Sequence, residues 1–333
     1  MRRIYKVLIV VISLGISCLN CSATDTERRA SAASALAGQF ETIFYSSTVS
    51  LSGQASTGQV SKTATLGLHY PFEYLNLAIA GLPDKFFSRV LNDSVGVFVG
   101  AKEFRPPQGS SGLGSVLSHR CYVVLLRDGS KFDLKQHFRT DLAAALVNGP
   151  VWKWAVHIDE FGPEHIGRMP AGKPRLSQLF ATQVGRQYIL ISNNLKELRD
   201  VANELVSGNQ KLENLTRIHD WGTISQYDVW GYRRYRYSGV ISKVAAAMED
   251  VEPGTEAVAC FLDSQKKTLT VQLFINTVQG ERTVERMNTR NNFPPLIQSR
   301  KGLWASSILL SGDNKSDEAV LVIVGLFGFR IYS

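Results

Sequence analysis

An α+β fold is what this sequence predicts: two similar halves of antiparallel sheet faced by helices, after an N-terminal signal segment. Three observations carry that expectation. Phe180–Val184, the pair Gly185-Arg186 and Gln187–Ser192 form a tight hairpin that runs into a helix over Leu195–Val206. A second hairpin, Ala257–Leu262 and Thr268–Ile275 around a turn at Asp263–Lys267, is followed by a helical stretch at Glu281–Thr289. Both stretches also share the order helix, strand, strand, helix, strand, helix, which reads as a weak internal repeat.

The chain opens on Arg2, Arg3 and Lys6, continues with the apolar run Val7–Leu19, and reaches the small residues Cys21-Ser22-Ala23 before turning polar at Thr24-Asp25. Positive, then apolar, then small is the order of a secretory signal. The apolar run is shorter than the 20 or so residues a membrane span needs. Cys18, after Leu14-Gly15-Ile16-Ser17, is the candidate site of lipid attachment, which would hold the protein to a membrane through acyl chains. The expected division is therefore a signal peptide at 1–23 and a flexible or weakly structured segment at 24–69. A first half at 70–208, a connection at 209–222 and a second half at 223–333 follow.

Loss of residues 1–23 leaves 310 of the 333 residues and lowers the formal charge from +8 to +5, since only Arg2, Arg3 and Lys6 go with it. With 44% apolar residues the chain can bury a real core, which excludes wholesale disorder. The small, dispersed cationic excess argues against nucleic-acid binding. Cys121 and Cys260 both sit in apolar, strand-like runs and have no cysteine or histidine at ligand spacing. They read as buried free thiols, although a disulfide between them would close a loop of about 140 residues.

Within 24–69, Ser31–Phe44 is at most a weak helix, and Ser46–Thr65 is a loose hairpin or loop. Asp84 can cap a helix through Leu91, and Val95–Val99 reads as a strand. Arg105–Ser115, rich in glycine and proline, is a loop. Cys121–Arg127 is a buried strand ending at the turn pair Asp128-Gly129, and Asp133–Val147 reads as a helix. Val151–Ile158 alternates like a half-buried strand. Asn193 or Asn194 caps the helix after the first hairpin, and Gly208 sits where a left-handed C-terminal cap belongs. In the second half, Val229–Tyr237 is strand-like, Val240–Met248 helical and Leu303–Leu310 a strand. Ala319–Phe329 is an uncharged run suited to core packing.

Two segments offer chemistry. Trp230, Tyr232, Arg233, Arg234 and Arg236 interleave aromatic rings with guanidinium groups, a combination that holds anionic ligands by bidentate bonds and stacking. On a strand, Trp230, Tyr232, Arg234 and Arg236 share one face. His157, Asp159, Glu164 and His165 form the densest run of metal-ligand types, although the His-Glu-x-x-His helix pattern is missing. No Gly-x-Ser-x-Gly is present, and the glycine-rich loop Gly109–Gly114 lacks the pattern of a phosphate cradle.

The sequence is best read as an exported, periplasmic or secreted cell-envelope protein with a non-catalytic binding or structural role. It needs no cofactor, meets an envelope or extracellular partner or an anionic ligand, and touches membrane only through a lipid anchor. The alternative is a secreted hydrolase, metal-assisted through the His157–His165 run or serine-based.

Overall fold

The computed structural model describes residues 25–47, 90, 92–102, 119–134, 145–147, 151–157, 176–192, 194–208, 211–235, 255–263, 265–275, 278–289 and 294–310. They form a mixed α+β protein dominated by one twelve-stranded sheet. Its strands, in chain order, are β1 (Thr42–Ser47), β2 (Ser94–Lys102), β3 (His119–Leu126), β4 (Ala145–Val147), β5 (Val151–His157), β6 (Leu176–Val184) and β7 (Tyr188–Ser192). After them come β8 (Val229–Arg234), β9 (Thr255–Asp263), β10 (Thr268–Ile275), β11 (Ile297–Arg300) and β12 (Leu303–Leu309). In space they lie in the order β11-β12-β10-β9-β8-β1-β2-β3-β7-β6-β5-β4. Every neighbouring pair is antiparallel.

Helices cover one face. They are α1 (25–39), α2 (Leu195–Ser207), α3 (Leu212–Thr216) and α4 (Trp221–Ile224), while α5 (Val278–Asn288) follows β10. Registered partners share a face, so Ile43 and Tyr45 of β1 lie beside Phe98 of β2 and beside Trp230 and Tyr232 of β8. The same buried cluster takes Ala32, Ala33, Leu36 and Ala37 from α1, Leu198, Val201 and Leu205 from α2, and Leu215, Ile218 and Ile224 from the α3–α4 region. The opposite face is buried as well, with Phe44, Val97, Val99, Val124, Val258 and Val271 all at 2% exposure or less.

α1 approaches the sheet closely because its inner stripe is mostly alanine and because Gly100 lies beneath it. A Cβ on Gly100 would come within 2.5 Å of Phe40 and 2.8 Å of Leu36. A buried arginine fixes the start of α1: the Arg28 guanidinium donates to the Leu126 carbonyl at 3.0 Å and pairs with Asp128 at 3.0 Å and with Asp25. Further along, the Ser34 hydroxyl donates to the Lys211 carbonyl while Asn214 Nδ2 donates to the Ser34 carbonyl, a reciprocal pair joining α1 to the α3 segment.

The helix α2 forms as its sequence asks. Asn194 accepts from the N–H groups of Lys196 and Glu197, and Gly208 closes the far end in the left-handed conformation. Both expected hairpins are present, as β6–β7 and β9–β10. The expected strands at 95–99, 121–127, 151–158, 229–237 and 303–310 correspond to β2, β3, β5, β8 and β12, and the helix at 281–289 to α5.

Several elements differ from expectation. The segment expected to be flexible or weak at 24–69 contains α1 and β1, and β1 is buried at all six positions. A strand covered on both faces shows no polar alternation, so TIFYSS carries no period-2 signal. The expected connection at 209–222 contains α3 and the start of α4, and this stretch delivers Leu215 and Ile218 to the core, with Ile224 following from the end of α4. Ala145–Val147, the expected end of a helix, is the edge strand β4; pairing with β5 overrides the helical preference of Ala and Leu. The short β11 follows Pro294-Pro295, is exposed at every position, and has a register shift between Gln298 and Arg300. Of the expected 84–91 helix only Val90 is described, as helical. The expected loop at 105–115, helix at 240–248 and apolar end at 319–329 lie outside the described residues. Cys121 and Cys260 are free and fully buried.

Gly100→Ala is expected to cost about 2 kcal/mol, the scale of an overpacked core methyl. Gly222→Ala, where an added Cβ meets nothing within 4 Å, is expected to leave stability within about 0.5 kcal/mol. Urea unfolding midpoints of the two variants provide the comparison.

Candidate functional site

The aromatic–arginine segment folds into β8, an interior strand paired with β1 on one edge and β9 on the other. Trp230 and Tyr232 therefore point into the helix-covered core, at 1% and 2% exposure. Trp230 meets Trp221 edge-on at 5.4 Å between ring centroids and Phe98 at 5.8 Å, filling a core pocket that leaves no ring face open to a ligand. Arg233 points to the opposite face, is buried, and lies over the Tyr235 ring at 4.9 Å. Arg234, on the Tyr232 side, reaches solvent. Arg236 lies outside the described residues.

A cleft opens where β8 runs out beside the end of α1. Ala37, Phe40, Glu41, Ile43, Arg217, Ile218, Tyr232 and Arg234 line a small hollow there, with room for about one water molecule. The Arg234 N–H donates to the Glu41 carbonyl at 2.9 Å, which sets those two residues side by side on one wall. Tyr232 spans the floor: its hydroxyl donates to the Arg217 carbonyl, and the His219 backbone N–H donates to its oxygen. The Arg217–His219 turn is thereby pinned over the strand, and Arg217 and Arg234 both border the hollow.

Burial pushes the Tyr232 phenol up to about 12, against the opposing pull of Arg234 and of the His219 hydrogen bond. The phenol is therefore neutral at physiological pH and serves as a hydrogen-bonding strut, since a nucleophile or base would need a lower value. Beside the cleft, His219 stacks on Phe274 at 4.7 Å and sets its Nε2 3.4 Å from Glu256. Asp220 adopts a left-handed conformation (φ 58°), one that aspartate tolerates better than most residues, and its carboxylate lies 3.6 Å from Arg300.

The candidate metal run is not assembled within the described residues. His157 ends β5, where it is registered with Leu176, and Asp159, Glu164 and His165 lie outside them. Among the described residues no group of three or more histidine, cysteine, aspartate or glutamate side chains converges as a metal site. Cys18 also lies outside them. Cys121 and Cys260 are held as thiols, Cys260 up to about 12, by burial. Among the described residues no helix is long and apolar enough to cross a membrane.

Sequence reasoning had found Tyr232 and Arg234 but missed Glu41 and Arg217. Both lie in segments read as weakly structured or connecting, and only the tertiary hydrogen bonds of Tyr232 and Arg234 bring them to β8.

Tyr45 tests how these buried phenols behave. Its hydroxyl is buried with no hydrogen-bond partner among the described residues, and desolvation raises its pKa to about 12. A folded-state pKa above the unfolded one gives stability that is intact below the unfolded value, near 10, and is lost as pH climbs through the folded value. Stability is therefore expected to fall between pH 10 and 12, with the thiols starting the decline near pH 9. Tyr45→Phe is expected to raise stability at pH 7 by about 1 kcal/mol, since it removes an unsatisfied hydroxyl. It should also shrink the alkaline loss. Urea unfolding at a series of pH values checks both.

No family model matches the chain, and no curated protein matches it. Solved structures of TP0453 align with it weakly. Crystal form I aligns over 86% of this chain and 94% of that one at 7% identity, with a TM-score of 0.36. Crystal form III aligns over 86% and 95% at 8% identity, with a TM-score of 0.40. Crystal form IV aligns over 86% and 93% at 8% identity, with a TM-score of 0.39.

Proposed function

We propose that the protein is exported to a bacterial cell envelope, periplasmic or secreted and with Cys18 as the candidate lipid anchor. There it acts as a non-catalytic binding or structural component. The observation that carries this is the leader itself: a cationic head, an apolar run too short to span a bilayer, and small residues up to Ala23. The position of α1 supports it. The described part of the helix begins at Asp25, so cleavage after Ala23 would leave the Arg28 clamp and the described packing of α1 intact. The roles of the polar groups around the cleft support the non-catalytic part: Tyr232 is neutral and spent on two backbone hydrogen bonds, and His219 is stacked on Phe274.

The two-halves architecture belongs to the same proposal. From β1 outward the sheet runs β1-β2-β3-β7-β6, and from β8 outward β8-β9-β10-β12-β11. The two series are the same path with β4 and β5 added to the first, and they meet where β1 pairs with β8. On this reading the first half begins at α1 rather than at residue 70.

Expression of the full chain with a C-terminal tag in a bacterial host, followed by fractionation and intact-mass measurement, tests the proposal. The expected product lies in the envelope or medium and lacks residues 1–23, or carries acyl mass on cysteine that Cys18→Ala removes. A cytosolic product that begins at Met1 overturns it.

A further inference from the structure

Side-chain contacts fix the described start of α1 to one end of the sheet. The Arg28 guanidinium donates to the Leu126 carbonyl and pairs with Asp128, and the Tyr188 hydroxyl donates to the Arg28 carbonyl at 3.4 Å. Leu126 closes β3, Tyr188 opens β7, and the Leu126 N–H donates to the Gln187 carbonyl at 2.8 Å. The turn after β3 and the β6–β7 turn therefore lie together beside the start of the helix. The opposite end of the same strands carries Lys102, His119 and Ser192, with Lys196 close by in the first turn of α2.

Covalent length adds a second constraint. Seven residue steps separate Cys18 from Asp25, and they span at most about 25 Å when fully extended. The eight residues of β3 run about 27 Å from one end of the sheet to the other. An acyl group on Cys18 would thus hold the near end within one tether length of the headgroups, while the far end trails it by up to a strand length. The side chains at the near end set the kind of contact. Glu27, Arg127, Asp128, Lys131, Asp133 and Arg186 are exposed there, three cations against three acids. Balanced charge gives an anionic bilayer no net pull on this end. Polar turns of this kind stay among the headgroups, because entering the hydrocarbon would strip them of water.

We propose that this end of the sheet, with the turns at 127–131 and 185–187, is the surface turned to lipid headgroups, held there by the tether from acylated Cys18 and not by charge. The inference deepens the anchored form of the proposed function and rests on it, and its test separates the two.

The test uses the full chain expressed in a bacterial host, with Cys21→Ser to remove a competing thiol and either Arg186→Cys or Lys196→Cys as the labelling site. Cys121 and Cys260 are buried and stay unlabelled. The acylated protein, carrying a fluorophore at one site, is added to phosphatidylcholine vesicles containing a headgroup-bound nitroxide quencher, with or without phosphatidylglycerol. Quenching is expected to be at least about twofold stronger at 186 than at 196, and unchanged by phosphatidylglycerol. A Gly/Ser insert of about 20 residues after Thr24 adds about 25 Å of root-mean-square reach and should at least halve the signal at 186. Acylated protein quenched equally at both sites, or more at 196, overturns the inference and leaves the anchor standing. Quenching at 186 that needs phosphatidylglycerol, or that survives the insert undiminished, does the same. A product without acyl mass on Cys18 overturns the anchor and this inference together.

Discussion

Strand β1 is the constraint on which the molecule depends. It is hydrogen-bonded along both edges, to β2 and β8, and buried on both faces. Remove it and the sheet falls into two unconnected pieces, each with a freshly exposed edge. Its inner residues Ile43 and Tyr45 also carry the helix layer, and its outer residue Phe44 lies across Gly231, where even a Cβ would approach the ring to 2.6 Å. The tight contact means that this part of the core is matched residue by residue, a condition under which adding or removing one methylene is felt. A strand near the start of the described chain is thus the seam that joins everything made later.

What was legible in the sequence follows from how local each signal is. The β6–β7 hairpin and α2 carry their own instructions: a two-residue turn, an asparagine cap, apolar residues at helical spacing and a closing glycine all within Phe180–Gly208. The fold class and most interior strands were legible for the same reason. β1 was not, because six residues buried on both faces lack alternation and sit in a serine- and alanine-rich setting. The α3–α4 region looked like a linker because its helices are too short to show a periodic face; their placement comes from Tyr232 and from the Ser34–Asn214 exchange, both long-range in sequence.

The candidate site shows the same division. Alternation along β8 correctly set Tyr232 and Arg234 on one face, but a strand inside a sheet does not present its aromatic rings to solvent. Trp230 went to the core, Arg233 went to the far side, and only the end of the strand is accessible. The partners that complete the opening, Glu41 and Arg217, arrive through backbone hydrogen bonds made by Arg234 and Tyr232. No spacing rule in the sequence encodes such a meeting.

The blunt outer strand β11 has a consequence for the molecule in a crowded compartment. A wide sheet with an open flank is a standing invitation to other extended chains, which can add themselves rung by rung. Here the flank is only four residues long, prolines come just before it, and its ladder is broken before Arg300, which leans toward Asp220. An incoming chain finds too few regularly spaced partners to dock and a cation at the end of the row. The protein can thus carry a sheet of this width through an aggregation-prone environment without recruiting neighbours along that side.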